Sequence, residues 1–317
     1  VDVEYVACDL CGSDDHALLF SQIDWVTGRE FHLVECECGM AFVNPMPLES
    51  AVPDLYPKDY LKDKDQESMS PFYARMAGLL PNHPGGALLD IGCGRGDFIH
   101  YAATKGWNVQ GVDALDWEGR RPVPIQVGDF LHMDFAERRF DVITAWAVLE
   151  HVRKPSAFFE KASSLLKEGG SFIFVVPNFS ALGMRYSCSQ DVPRHLHLFT
   201  PRAVEQHLRR CGMRTCAIFH NSALYSSYPF GLVRALYWRV LRGDFRCARY
   251  DNKSVAVLRH RQVRGNLRSW LNEVAASVSI KDMVIDAADL ALGIAVANLS
   301  KVLRNYGTIT VIAERHP

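Results

Sequence analysis

The stretch that most constrains the fold is Leu88-Leu89-Asp90-Ile91-Gly92-Cys93-Gly94-Arg95-Gly96-Asp97-Phe98. An apolar run carrying one acid reads as a buried strand. Three glycines at alternate positions read as a tight turn, and the following residues read as a helix. Glycines let a backbone approach a ligand closely, and a helix N-terminus offers free N–H groups. A strand that turns into a helix in this way needs a parallel sheet around it.

The flanking sequence supplies one. Ala87–Ile91, Asn108–Val112, Phe140–Ala147, Ser171–Val176 and Met213–Phe219 read as strands. Helices are expected over Asp97–Thr104, over Pro155–Lys167 with Gly169-Gly170 as its stop, and from Thr200-Pro201, with Thr as N-cap and Pro at the first position. Thr308–Ala313 adds a last short strand. The alternation predicts an α/β domain with helices on both faces of the sheet. Four segments follow from changes in character: a Cys-rich module over 1–47, a connector with a short helix over 48–84, the α/β domain over 85–220 plus 306–317, and a helical insertion over 221–305.

Asp113 ends the strand after the glycine turn, where a carboxylate can accept both hydroxyls of a ribose. A dinucleotide fingerprint would place its third glycine at position 97, which is Asp97. An acid beside a pyrophosphate is repelled. A cofactor without phosphate, S-adenosylmethionine, suits the turn better.

These residues resemble the class I S-adenosylmethionine-dependent methyltransferases. Asp90 to Gly96 is similar to that family's first motif. The resemblance makes Asp90, Gly92, Gly94 and Gly96 the cofactor cradle and Asp113 the ribose acid. It brings Asp129 to the adenine amino group, Phe130 near the ring, and Trp146 to the cofactor side of the fourth strand. It implies a seven-stranded Rossmann-like sheet whose last strand, Thr308–Ala313, is antiparallel.

Cys8-x-x-Cys11 and Cys36-x-Cys38 are spaced as two knuckles that together make a four-thiolate zinc site. Four protein ligands leave no open position, so the role expected for the Zn2+ is structural. His16 or His32 could replace a cysteine, and buried free thiols are the alternative. A zinc-ribbon-like module ahead of this core, followed by Gly39 to Pro47, resembles a bacterial subgroup that includes sugar C-methyltransferases and enzymes of secondary metabolism.

Methyl transfer holds an acceptor in line with the methyl, and a hydroxyl or acidic C–H acceptor also needs a base. The candidates are Glu150-His151 after the fourth strand, His195 and His197 in Arg194-His195-Leu196-His197, and Tyr186 upstream. If that segment is extended, the two histidines share one face. Ubiquinone-pathway O-methyltransferases share the Glu-His pair and hold a metal with it and a Glu three positions earlier. Here that position is Ala147, which argues against magnesium and against that substrate.

The chain of 317 residues has a formal charge of −1, yet ten Lys or Arg lie between Arg234 and Arg268 against Asp244 and Asp251. That segment reads as a solvated helical subdomain, a clamp for a phosphorylated acceptor, or a membrane-surface helix. An amphipathic helix is expected over 280–304, as core or as a homodimer face. The expected function is methylation of a small-molecule acceptor on oxygen or carbon, in the cytoplasm, with no leader, no membrane span and no nucleic acid. A zinc-finger RNA methyltransferase and a non-catalytic S-adenosylmethionine-binding protein are the competing readings.

Overall fold

The computed structural model describes residues 1–24, 26–56, 70–186, 190–220 and 306–316, with short pieces between 233 and 303. In chain order the strands are β1 (Val3–Glu4), β2 (His16–Ile23), β3 (Glu30–Cys36), β4 (Ala41–Val43), β5 (Met46–Pro47), β6 (Ala87–Ile91), β7 (Asn108–Asp113), β8 (Ile125–Val127), β9 (Phe140–Trp146), β10 (Leu166–Pro177), β11 (His197–Leu198), β12 (Met213–His220), β13 (Arg246–Cys247) and β14 (Thr308–Arg315). The helices are α1 (Ser70–Ala77), α2 (Asp97–Thr104), α3 (Pro155–Leu165) and α4 (Pro201–Arg210).

Seven strands form the main sheet in the order β12-β14-β10-β9-β6-β7-β8. β6 pairs in parallel with both β7 and β9, while β14 runs antiparallel to β10 and β12. From β6 the chain first winds outward through β7 and β8, then crosses back to β9. The gap beyond the carboxyl ends of β6 and β9 is the switch point at which open α/β sheets bind ligands.

Residues on successive strand positions divide between the two faces, as a period of two requires. Leu88, Val142, Ile173 and Val175 pack against Met76 of α1 and Phe98, Ile99 and Ala102 of α2. Leu89, Ile143, Phe172 and Phe174 pack against Phe159, Ala162, Val204 and Leu208 of α3 and α4. Both faces are covered, which is why these strands read as continuous apolar runs.

Helix α3 ends at Leu165, earlier than expected, and Gly169-Gly170 does not stop it. Leu166 is already extended and pairs with Phe140, so the strand begins first and the glycines occupy its irregular start before Ser171. Thr200 does cap α4, its hydroxyl accepting from Ala203 N at 3.1 Å.

The Cys-rich module shares its sheet with the α/β domain. The order is β11-β4-β3-β2-β13, with His197 opposite Phe42 and Arg246 opposite Ser21. The pairings therefore cross the boundary expected at residue 47. Asp9, inside the first knuckle, accepts from Ser156 N at 2.7 Å at the start of α3. Cys38 O, in the second, accepts from Gln206 of α4 at 3.4 Å.

Arg194 joins the parts. Its guanidinium is fully buried and donates to Asp24 Oδ1 at 2.8 Å, to Leu55 O at 2.9 Å and to Asp191 Oδ1 at 2.9 Å. The basic segment 234–268, apart from Arg246 and Cys247, lies outside the described residues. So does most of 280–304. Of its expected apolar face Ala291 and Ile294 are described, and both are exposed.

Two outcomes follow. Arg194→Met strands a buried Asp24, and denaturant unfolding is expected to show a loss of about 3–5 kcal/mol, partly recovered in the Arg194→Met/Asp24→Asn double variant. Burial pushes the His207 imidazole, stacked 4.9 Å from Phe159, down to about 3. A histidine depressed in the fold contributes stability above its unfolded pKa of about 6.5 and loses it as pH falls toward 3. Melting temperature should therefore fall across that window, and His207→Phe should flatten the fall.

Candidate active site

The glycine turn is built from both neighbouring strands. Gly92 N and Cys93 N donate to Val112 O at 2.8 and 3.1 Å, and Gly94 N donates to Asp113 Oδ2 at 2.8 Å. Gly92 and Gly94 have φ of 70° and 58°, in the left-handed region. A Cβ on Gly92 would lie 2.5 Å from Val148 Cγ2, whereas one on Gly94 would meet nothing within 4 Å. The turn is thus closed toward the segment after β9 and open at Gly94. Gly96 occupies the N-cap position of α2.

Asp113, at the end of β7, is buried and holds its own turn, its Oδ1 accepting from Leu115 N and Trp117 Nε1, each at 2.9 Å. A carboxylate has about four acceptor positions, so room remains for a diol. Asp90 is buried, and Thr144 Oγ1 donates to it at 2.6 Å. Burial, with the Asp113 charge adding, pushes Asp90 up to about 8. Asp129 is half-exposed, caps the short turn Phe130–His132 through Leu131 N at 2.9 Å, and pairs with His132. Gly128 N donates to Asp113 O at 2.8 Å, which ties the two acids' turns together.

The two aromatic residues expected beside the cofactor are both buried. Phe130 is 3% exposed, 5.2 Å from Phe158, with the Lys161 ammonium 5.2 Å from its ring centre. Its neighbour Asp129 ends in a turn, and the chain there plunges into the core under α3. Trp146 is likewise enclosed, edge-on to Phe98 of α2 at 5.2 Å.

Two residues after Val148 a buried polar group begins. Glu150 is 1% exposed, and its Oε2 has no hydrogen-bond partner among the described residues. Burial pushes it up to about 8. His151 Nδ1 lies 2.9 Å from Arg194 O and 3.3 Å from Tyr56 Oη. A carbonyl only accepts, so Nδ1 carries the proton and Nε2 is left as an acceptor. The His195 ring sits 4.8 Å from that of His151, at 74°. Its Nδ1 is buried without a partner, and burial pushes the imidazole down to about 3. Glu150, His151 and His195 each offer a donor atom, all within 4.8 Å of one another.

His197 does not join them. Leu196 N and His197 N both donate to Glu150 O, at 2.7 and 3.1 Å, so the chain is irregular between the two histidines and does not set them on one face as a regular strand would. His197 turns away, its Nδ1 3.0 Å from Val152 O and its ring stacked 6.3 Å from Phe42. The Tyr186 side chain lies outside the described residues. Sequence reasoning missed Tyr56, Asp24 and the structural part played by Arg194. Only Arg194 carried a signal, as the neighbour of His195.

The four cysteines converge. Cys8 Sγ is 3.6 Å from Cys38 Sγ, Cys11 Sγ is 3.3 Å from Cys36 Sγ, and all four sulfurs lie within 4.8 Å of one another. Tetrahedral Zn–S bonds of about 2.3 Å put sulfurs about 3.8 Å apart, so the set fits that ion. Neither histidine substitutes for a thiol. His16 Nε2 meets Asn44 Nδ2 at 2.8 Å, and His32 Nδ1 meets Ser21 Oγ at 2.7 Å.

Comparison with known proteins agrees with the fold. Residues 61–217 match the profile of the family described as "Methyltransferase domain". The chain is 29% identical over 137 residues to a ubiquinone biosynthesis O-methyltransferase of Stutzerimonas stutzeri, covering 36% of this chain and 57% of that protein. It is 31% identical over 137 residues to the Pseudomonas aeruginosa enzyme of the same name, with the same coverages of 36% and 57%. The chain thus spans a little over half the length of these two relatives. Among solved structures, Burkholderia thailandensis 1,6-didemethyltoxoflavin-N1-methyltransferase is 19% identical, with a TM-score of 0.43, over 61% of this chain and 88% of that one.

The turn makes one stability prediction. Gly92→Ala combines a left-handed backbone with a clash against Val148 and should cost about 1–3 kcal/mol in denaturant unfolding, more than Gly94→Ala, whose Cβ enters open space. Strand order and glycine turn agree with the methyltransferase-domain profile that residues 61–217 match.

Proposed function

We propose that the chain is an S-adenosylmethionine-dependent methyltransferase that methylates a hydroxyl of a small molecule, with a structural zinc ion held by Cys8, Cys11, Cys36 and Cys38. One observation carries the reading. A glycine turn open at Gly94 packs on Val148, two residues before the start of a buried carboxyl–imidazole group. The names of the relatives support oxygen as the acceptor atom. Ala147 speaks against their substrate, because it withdraws a carboxylate from this site.

The cofactor supplies an electrophilic methyl group on a sulfonium. The turn at Gly92–Gly94 is the cradle, and Asp113 offers acceptors for the ribose diol. Asp129 is assigned to the adenine amine by the family resemblance alone. Transfer releases a proton from the acceptor hydroxyl. Burial lowers the His151 and His195 imidazoles and keeps them neutral near pH 7, so each holds a lone pair that can accept that proton or hold a cation that lowers the hydroxyl's own pKa. His151 is held for this by Arg194 O, which fixes its proton on Nδ1.

Asp113→Ala should weaken S-adenosylhomocysteine binding at least tenfold by calorimetry. Protein incubated with methyl-labelled S-adenosylmethionine and a cell extract should label a small molecule. A labelled product that enters organic solvent only after phosphatase treatment would identify a phosphorylated acceptor. Label in RNA or protein alone would overturn the reading. Removing the thiolate-bound ion with a chelator should lower the melting temperature of the whole chain in one transition, because both knuckles hold helices of the methyltransferase domain.

A further inference from the structure

We propose that Glu150, His151 and His195 form a second metal site, for a divalent transition-metal ion with positions left open toward the acceptor. The proposal rests on the function above only for what the ion would do there, not for its binding.

Three observations meet at this group. First, three donor atoms from two separate segments lie within 4.8 Å of one another. Second, two of those side chains end in orphans. Glu150 Oε2 and His195 Nδ1 are both buried and have no hydrogen-bond partner among the described residues. A buried polar atom left unmade costs about 1–3 kcal/mol, and native proteins seldom leave two on one cluster of side chains. A cation bound by the cluster would give them a partner. Third, the support for a metal-binding imidazole is already built. His151 gives its Nδ1 proton to Arg194 O, which orients the ring and frees Nε2, the arrangement that metal-ligating histidines usually show.

The ligand set also selects the ion. In the ubiquinone-pathway enzymes that the sequence resembles, the Glu-His pair is completed by a carboxylate three positions earlier. Here Ala147 stands there, with a left-handed backbone at φ 56°. His195 arrives from beyond β10 and contributes nitrogen instead of oxygen. Magnesium prefers oxygen ligands and keeps its waters, whereas two imidazoles and one carboxylate suit zinc, cobalt or iron. Three protein ligands leave room for an acceptor oxygen. That is the reverse of the four-cysteine set, which is complete with protein ligands alone.

The test is metal stoichiometry on the full chain produced in cobalt-supplemented medium. Wild type should carry two cobalt ions per chain: one with thiolate-to-cobalt charge-transfer absorption, and one with only the weak bands of nitrogen and oxygen ligation. His195→Ala and Glu150→Gln should each carry one, with the thiolate band intact as evidence of folding. His207→Phe should keep two. If His195→Ala loses the thiolate band, Glu150→Gln, which preserves side-chain shape, decides. A wild type that stops at one ion, or a second ion that survives both substitutions, overturns the proposal. S-adenosylhomocysteine binding is measured on the same samples. Binding with only one ion would sink this site and leave methyl transfer standing. Two ions without binding would do the reverse.

Discussion

A buried charge pair organises this molecule. Arg194 and Asp24 meet with both side chains fully shielded from water, and Asp191 and Leu55 O complete the guanidinium's contacts. Such a pair recovers little beyond its own desolvation cost, so its value lies in specificity rather than in net stability. It commits the loop before β11 to one place relative to the N-terminal sheet and the connector. That place presents the Arg194 carbonyl to His151 and the His195 ring beside it. Mispairing would leave a charge in the core, so the group at Glu150 inherits its geometry from contacts well away from it.

Local chemistry made much of the fold readable. Leu88 and Leu89 face opposite sides of the sheet, and so do Val142 and Ile143, each neighbour joining a different core. Runs of this kind announce a doubly covered parallel sheet. The Thr200-Pro201 cap was equally local. The unread features have distant causes. β8 is three residues long at a sheet edge, too short for a pattern. Asp24 and Arg194 are far apart in sequence, and nothing beside either one names the other. His197 parts from His195 because Leu196 N and His197 N share one acceptor, Glu150 O, which interrupts the regular extended chain that the pairing of the histidines assumed.

The candidate site was legible as composition but not as arrangement. The glycines, Asp113 and the Glu150-His151 pair stood out by type and spacing. Their relation depends on Val148, an ordinary apolar residue wedged against Gly92. The aromatic neighbours Phe130 and Trp146 went to the core because large rings gain more from enclosure than from a half-open edge. A carboxyl raised by burial next to imidazoles lowered by burial is a local conflict, and proteins tend to keep such conflicts where chemistry is done.

Strand β14 enters the sheet between β10 and β12, where Ser171 pairs with Glu314 and Arg214 pairs with the same residue from the other side. Until that distant segment arrives, the β10 and β12 edges that face it are unpaired, and the sequence separation to be closed is among the longest in the chain. Assembly of the sheet is therefore gated by a non-local event of the slow kind. The same vacancy could accept a strand from another molecule, so crowding during refolding should favour exchanged or aggregated forms over the monomeric sheet.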